Sequence, residues 1–430
     1  MPVRIGLLGC GNVGSELVRL ISTGGLQIKA QTGEELQVCR IAVRDLTRDR
    51  GEWVDRKILT DDPNEVVTDP EIDIIVEVMG GIDPARHLIE TAIVSGKSVV
   101  TANKALLAVA GAELTKLADD SRKDIFFEAA VAGGIPLIRS LRVSLVGERV
   151  RRIAGIVNGT TNFILSSMSD SGASYEEALR IATDLGYAEA DPSADVEGDD
   201  ARAKAAILAT VAFGKLVRFE DVYREGITKI TSDDIAFAKR HGFEIKLLAI
   251  CELDEHSGGS ETISVRVHPS LVPISHPLAL VRDSFNAVFV TGDAVGELMF
   301  YGRGAGGSPT ASAVLGDIID AAHNLSYGVT ERQLSRDSAA IVDIATTSNS
   351  FYVALDVEDR PGVLAQVASI FGRNLVSIYS MEQEGKGDEA RLVFITHTAP
   401  ESALHSTLEE LGELETVKRV AGFIRVFDAK

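Results

Sequence analysis

Val3-Arg4-Ile5-Gly6-Leu7-Leu8-Gly9-Cys10-Gly11-Asn12-Val13-Gly14 decides how the chain begins to fold. An apolar, strand-like run enters Gly9, Gly11 and Gly14, and the amphipathic stretch Ser15–Ile21 follows. In this GxGxxG spacing the first glycine allows a tight turn, the second lets a pyrophosphate reach backbone N–H groups, and the third packs helix against strand. The helix that follows aims its positive end at the phosphate. Alone the spacing is weak; between a strand and a helix it reads as a dinucleotide-binding turn. Gly9, Gly11, Asn12, Val13 and Gly14 are therefore candidate cofactor contacts.

Outward from this turn, Gln37–Val43, Ile72–Val78, Ser98–Thr101 and Ile125–Glu128 read as further strands, with helical stretches Ala85–Ser95 and Leu106–Asp120 between them. Such alternation predicts an α/β, Rossmann-type doubly wound parallel sheet over residues 1–132, completed by 300–335. Arg44 ends the second strand, where an acid would grip the ribose of NAD. An arginine there suits a 2′-phosphate, so NADP is favoured, with Arg48 or Lys57 as helpers; Asp45 leaves NAD open. Glu77-Val78-Met79-Gly80-Gly81 and Thr101-Ala102-Asn103-Lys104 each end a strand, which places Gly80 and Lys104 at the carboxyl edge where such sheets bind ligands.

Residues 133–299 change pattern. Strand-rich Arg142–Ile156 and Glu261–Phe300 bracket a helical block from Thr160 to about His241, predicting an α+β domain for catalysis and dimerisation. The turn Gly302–Gly307 leads back into a helix, Thr310–Ala322. After a stretch from Ser335 to Ser350, residues 351–430 follow the order βαββαβ, a ferredoxin-like module.

Composition narrows the function. The 430 residues are 45% apolar and 25% charged, a globular balance with room for about three domains. Lys+Arg 43 against Asp+Glu 63 leaves a net charge of −20, which disfavours nucleic acid and anionic membranes as partners. No apolar run approaches the ~18 residues a membrane span needs. Cys10, Cys39 and Cys251 are too few and too scattered for a disulfide framework or a CxxC metal site, as expected in a reducing cytoplasm.

Four segments carry chemistry. Glu128-Ala129-Ala130-Val131-Ala132-Gly133-Gly134-Ile135-Pro136 sets a carboxylate among small residues with open carbonyls: a hard-cation site, or equally a glycine hinge with a capping Glu. Asn158-Gly159-Thr160-Thr161-Asn162 offers amide and hydroxyl donors suited to a substrate carboxylate, though a helix cap explains them nearly as well. Gly186-Tyr187-Ala188-Glu189-Ala190-Asp191-Pro192 is an acidic loop. In the helix from Asp199, Asp200 and Lys204 are i, i+4 neighbours, and Lys204 shares a stripe with Ile207, Leu208 and Val211. The helix looks buried, and a buried lysine must be paired or put to use. Arg202, on the opposite side, is expected to tolerate alanine.

As a set, these motifs resemble homoserine dehydrogenase in family order over roughly residues 1–335. Asp359-Arg360-Pro361-Gly362-Val363-Leu364 resembles the first strand–helix turn of an ACT domain. The resemblance implies reversible NAD(P)-linked interconversion of L-homoserine and L-aspartate 4-semialdehyde, a step of threonine, methionine and isoleucine biosynthesis. It makes Lys204 the acid/base, and makes Glu189 and Asp200 homoserine ligands with Asp195 in the same region. Lys104 falls beside cofactor and substrate, and Gly186 and Gly304 near the nicotinamide. Glu128 with the backbone of Val131, Gly133 and Ile135 matches a monovalent cation site, typically Na⁺. The ACT module implies an amino-acid effector, threonine, and the assembly a cytoplasmic homodimer or homotetramer. Two rival readings are a semialdehyde dehydrogenase and a non-catalytic NADP/amino-acid sensor. The first needs a thiolate, and Cys10 lies in the phosphate turn while Cys39 and Cys251 lie in strand-like runs. The second has no need of a buried Lys204.

Overall fold

In the computed structural model, which describes residues 2–255, 261–331, 337–386 and 389–427, the opening stretch forms β1 (Val3–Leu8), a glycine turn and α1 (Asn12–Thr32). There follow β2 (Leu36–Ala42), β3 (Leu59–Thr60), α2 (Pro63–Val67), β4 (Ile74–Glu77), α3 (Ala85–Val94), β5 (Ser98–Thr101), α4 (Lys104–Asp120) and β6 (Ile125–Phe126). The strands form a parallel sheet in the order β3-β2-β1-β4-β5-β6. Every residue of β4 and β5 is buried, as expected of strands covered by helices on both faces. The order reverses between β1 and β4, and the opening there is the expected ligand crevice. The last expected strand stops at Phe126, because Glu128–Ala130 tightens into a 3₁₀ turn.

The middle of the chain supplies α5 (Leu137–Arg139), β7 (Val150–Ile156), α6 (Gly159–Ser171), α7 (Tyr175–Asp184), α8 (Ser193–Val196), α9 (Asp199–Phe213), β8 (Tyr223–Arg224), α10 (Ser232–Arg240), β9 (Phe243–Glu255), β10 (Glu261–Pro273), β11 (Phe285–Gly292), β12 (Gly296–Arg303) and α11 (Gly307–Tyr327). One expectation fails here. Residues 142–149 are not strand: a π-helical turn covers Ser140–Ser144, and β7 begins only at Val150. The alternation Leu141, Val143, Leu145 mimics a strand, yet Val143 is exposed and lines no core. The strand-like run around Cys251 extends into the thirteen residues of β9. Helix α11 returns to the first sheet, where Ala311, Val314 and Ile318 share a core with Ile5, Leu7, Leu17 and Val76.

The C-terminal elements are β13 (Ser348–Glu358), α12 (Val363–Arg373), β14 (Ile378–Lys386), β15 (Glu389–Thr396), β16 (Ala399–Pro400), α13 (Glu401–Gly412) and β17 (Val417–Val426). Their sheet order β17-β13-β15-β14 is ferredoxin-like, but the module is not a separate unit. β17 pairs in parallel with β10, so one sheet runs β12-β11-β7-β9-β10-β17-β13-β15-β14, with β8 on β10 and β16 on β13. Alternation in β17 reads the same whether its outer edge is open or paired, so the sequence could not reveal this join. The expected boundary at residue 335 lies outside the described residues. Among the described residues, no helix is long and apolar enough to cross a membrane.

Candidate active site

The glycine turn closes as its spacing requires. Gly9 has φ +95°, and a Cβ there would fall 2.9 Å from the Met79 backbone. Gly14 abuts the Gly9 carbonyl, whereas a Cβ on Gly11 would meet nothing within 4 Å, which leaves room for a phosphate. Around the turn lies a groove of about 470 Å³ lined by Gly9, Gly11, Arg44, Arg48 and Met79, among others. Lys57 does not line it. The Asp45 carboxylate accepts from the Thr47 N–H and hydroxyl, at 2.8 and 2.6 Å. Arg50 donates to the carbonyls of Cys10, Arg48 and Asp45 and so ties this loop to the glycine turn.

From this groove the carboxyl edge leads to the lysines. Buried Glu77 accepts from the Met79 and Gly80 N–H groups and from the Thr101 hydroxyl. Asn103 caps α4 through the Leu106 N–H and donates to the Gly81 carbonyl at 2.6 Å. Lys104, the first residue of α4, thereby sits half-exposed beside the Gly80–Gly81 turn and forms an ion pair with Asp200. Neither clamp was anticipated. An acid ending a buried strand, and an Asn before a helix, were the available signals.

Four elements bring the acid cluster together. Asn158 follows β7 and caps α6 by accepting from the Thr161 N–H at 2.8 Å. Its amide nitrogen donates to Asp195 of α8 at 2.6 Å and to Asp200 of α9 at 2.9 Å. The Lys204 ammonium lies 2.7 Å from the Asp200 carboxylate and donates to the Val157 carbonyl at 2.6 Å. That carbonyl leaves no trace in the sequence pattern. Burial lowers the Lys204 pKa and the charge of Lys104 adds to this, against the pull of Asp200. For Asp200, burial pushes the carboxyl up, but Lys204 and Lys104 outweigh it and hold the group well below the usual range. Lys104 is raised: burial opposes, but Asp200, then Asp195 and Glu189, prevail. Asp195 is raised by burial.

The donors of the Asn158–Asn162 turn are thus committed inside the protein. Thr160 donates to the Tyr187 carbonyl at 2.7 Å, and Asn162 to the carbonyls of Asp283 and Phe285. The expectation of a donor turn facing a substrate carboxylate is corrected: Asn158 holds two acids in place, and Thr160 holds the Gly186–Pro192 loop. That loop leaves Gly186, with φ +76°, and Glu189 exposed. Arg202 is no idle position either. It donates to the Val222 and Glu220 carbonyls and lies over the Phe219 ring.

The Glu128 carboxylate accepts from the Ile138 and Arg139 N–H groups, at 2.8 and 2.6 Å, and its own N–H donates to buried Asp317. Its side chain therefore caps α5, which corrects the expectation of a carboxylate ligand. Gly133 makes the closest approach: a Cβ there would overlap the Gly304 carbonyl at 2.3 Å. Among the described residues, no group of three or more His, Cys, Asp or Glu is arranged to hold a metal. The cysteines are free, and burial pushes the Cys251 thiol up to about 12 and raises Cys10, so neither of these two is an activated thiolate.

Comparison with known proteins identifies the family of the chain. A family model described as homoserine dehydrogenase matches residues 136–319, one described as its NAD-binding domain matches 9–128, and an ACT-domain model matches 351–416. The homoserine dehydrogenase of Mycobacterium tuberculosis (strain ATCC 25618 / H37Rv) is 50% identical over 432 residues, 99% of this chain and 98% of that protein. A crystal structure of the Thiobacillus denitrificans homoserine dehydrogenase superposes with TM-score 0.93 at 40% identity and covers 100% of this chain and 99% of its own. A hyperthermophilic archaeal homoserine dehydrogenase, solved with NADPH, is similar with TM-score 0.62 at 32% identity, over 75% of this chain and 98% of its own.

Proposed function

The chain belongs to the homoserine dehydrogenase family, and from that premise we propose that Lys204 moves the proton in the oxidation of homoserine to aspartate semialdehyde. The observation that carries this is the buried Lys204 ammonium between Asp200 and the Val157 carbonyl, with a pKa already lowered. When the carbinol carbon gives up hydride, its hydroxyl must lose a proton, and a neutral Lys204 accepts it; in the reverse direction the ammonium returns it. Asp200 aims both lysines. Glu189, Asp195 and Asp200 form the acidic set for the homoserine ammonium, with Asn158 and Thr160 positioning them. Lys104 presents a cation where cofactor and substrate meet.

The nicotinamide cofactor supplies the hydride acceptor. Gly9, Gly11, Asn12, Val13 and Gly14 would hold its pyrophosphate, Gly80 the carboxyl edge, and Gly186 and Gly304 the nicotinamide end. NADP is the preferred form: Arg44 and Arg48 line the groove, while Asp45 spends its carboxylate on Thr47. The carbonyls of Glu128, Val131, Gly133 and Ile135 would take Na⁺, because a carbonyl set without a carboxylate suits a monovalent ion better than a divalent one. Threonine is the proposed effector at the ACT module, whose helix α12 starts at Gly362 with φ +93° and no side-chain cap. A homo-oligomer, dimer or tetramer, fits the edge strand β12, where Met299 and Tyr301 are exposed. The free cysteines suit a cytoplasmic setting. Initial rates with homoserine and each nicotinamide cofactor test the whole reading. Turnover that needs homoserine and runs better with NADP supports it, and no turnover with either cofactor overturns it.

A further inference from the structure

The seam between β10 and β17 holds a cavity of about 130 Å³ that belongs neither to the nucleotide groove nor to the acid cluster. Its lining carries Arg152, Arg266, His268 and Arg425 against one carboxylate, Glu252. His268 and Arg425 are each 1% exposed and Arg266 is 5% exposed. Glu252 pairs with Arg266 at 2.6 Å and with Arg152 at 2.9 Å. Arg425 is held from outside the lining, by Glu401 at 2.5 Å and Glu225 at 2.8 Å. Nε of Arg152 lies against Glu252, which leaves two buried atoms of the described lining residues without a hydrogen-bond or ion-pair partner: Nε of Arg266 and Nε2 of His268. Buried orphans are uncommon and call for a ligand or ordered water.

The histidine geometry narrows the ligand. Its Nδ1 lies 3.0 Å from the Pro269 carbonyl oxygen, which can only accept, and 3.1 Å from the Ser270 hydroxyl, which can accept or donate, so both contacts are met together when Nδ1 carries the hydrogen. In the neutral ring Nε2 is then a bare acceptor. Burial, with the charges of Arg425 and Arg266, pushes the ring pKa well down and keeps it neutral. The cavity thus offers an N–H from Arg266 and an acceptor at His268, on a lining of three guanidinium groups and one carboxylate whose charge is balanced by Glu401 and Glu225 outside it. A simple anion would face the imidazole lone pair, and a cation would face the guanidinium groups. An oxyanion that keeps one proton satisfies both orphans: its O–H donates to Nε2, and its charged oxygens accept from Arg266.

We propose that this cavity binds a compact, proton-bearing oxyanion, hydrogen phosphate or bicarbonate, and that its occupancy braces the seam between the catalytic sheet and the ACT module. Among the described residues, two pairs join β10 to β17 in the sheet, Ser270 with Arg425 and Leu271 with Val426. Ser270 and Arg425 both line the cavity, so a ligand there reinforces a short strand junction beside the Arg425–Glu225 pair.

The test uses the full chain with saturating NADPH, so that phosphate cannot act through the nucleotide groove. Phosphate, bicarbonate and sulfate are titrated at constant ionic strength and pH 7.5 while the thermal midpoint is read. A saturable rise of about 2–4 °C with phosphate or bicarbonate, and none with sulfate, is expected. The anion that acts identifies the ligand. His268→Leu should abolish the rise. Ser348→Phe, at the exposed rim, should abolish it by filling the cavity without removing a buried polar group, and it remains readable if His268→Leu fails to fold. Equal rises with all three anions, a rise that persists in the folded variants, or no rise at all would each overturn the proposal and leave a water-filled cavity.

Discussion

Lys204 lies one helical turn after Asp200 on α9, with its ammonium 2.7 Å from that carboxylate, and Lys104 of the nucleotide-binding part reaches the other carboxylate oxygen. One buried anion therefore faces two cations, and the second cation helps hold Lys204 below an ordinary lysine. Removing Lys204 should remove proton transfer and little else. Lys204→Ala is expected to cut kcat about 10²–10⁴-fold, the usual range for a general acid or base, while NADPH affinity stays unchanged. Lys116→Ala, on the exposed face of α4, serves as the control in place of Arg202, whose hydrogen bonds make it structural. A folded Lys204→Ala enzyme with near-normal kcat would reduce Lys204 to an ion pair that holds a helix.

The same arrangement sets the pH dependence. Oxidation of homoserine needs neutral Lys204, so kcat should rise with pH and level off above a midpoint lying below the ordinary lysine value of about 10.4. Reduction of the semialdehyde needs the ammonium and should fall over the same range. Asp200 is the charge that pulls this pKa up. Asp200→Asn should therefore move the rising limb to lower pH, while the acidic set loses a member and the KM for homoserine rises. An unmoved or upward-shifted limb would remove Lys204 from the titration.

Arg44 tests cofactor choice. It is exposed at the end of β2 and lines the nucleotide groove, where a 2′-phosphate would meet its guanidinium. A charge-assisted hydrogen bond contributes about 1.5–3 kcal/mol. Arg44→Ala should then raise the Kd for NADPH about 10–100-fold and hardly change that for NADH, read by fluorescence titration. Equal losses for both cofactors would move the 2′-phosphate site elsewhere.

Much of this was legible before any coordinates, for a physical reason. The glycine turn, the buried strands Ile74–Glu77 and Ser98–Thr101, and the Asp200–Lys204 pair are local patterns whose spacing carries their meaning. What escaped depends on partners distant in sequence. Val157 meets Lys204 through a backbone carbonyl, which any residue would offer. The donors of Asn158 and Thr160 announce a polar site, but only the fold shows them turned toward Asp195, Asp200 and Tyr187 rather than toward solvent. The Leu141–Leu145 alternation misled because periodicity reports a face, not whether anything covers it. The join of β17 to β10 was hidden for the same reason.

That join suggests how an effector at the ACT module would reach the active site. Besides the β10–β17 pairing, the Tyr352 hydroxyl on β13 donates to Asp234 at 2.9 Å, and Asp234 caps α10 together with Thr231. Helix α10 packs on β9 and α6, and α6 is capped by Asn158, which holds Asp195 and Asp200, the acids of the proposed site. A signal from the ACT sheet can therefore pass by one buried hydrogen bond into elements that end at Asp195 and Asp200. Tyr352→Phe removes that bond without changing the ring that packs on Phe237. A single such bond is worth about 1 kcal/mol, so the threonine concentration for half-inhibition should rise about 5-fold while kcat and KM without threonine stay within twofold. Steady-state kinetics with and without threonine check both parts. Unchanged inhibition in a folded Tyr352→Phe enzyme would place the coupling at the β10–β17 seam instead. A large fall in basal kcat would show that this hydrogen bond supports the active site itself rather than its regulation.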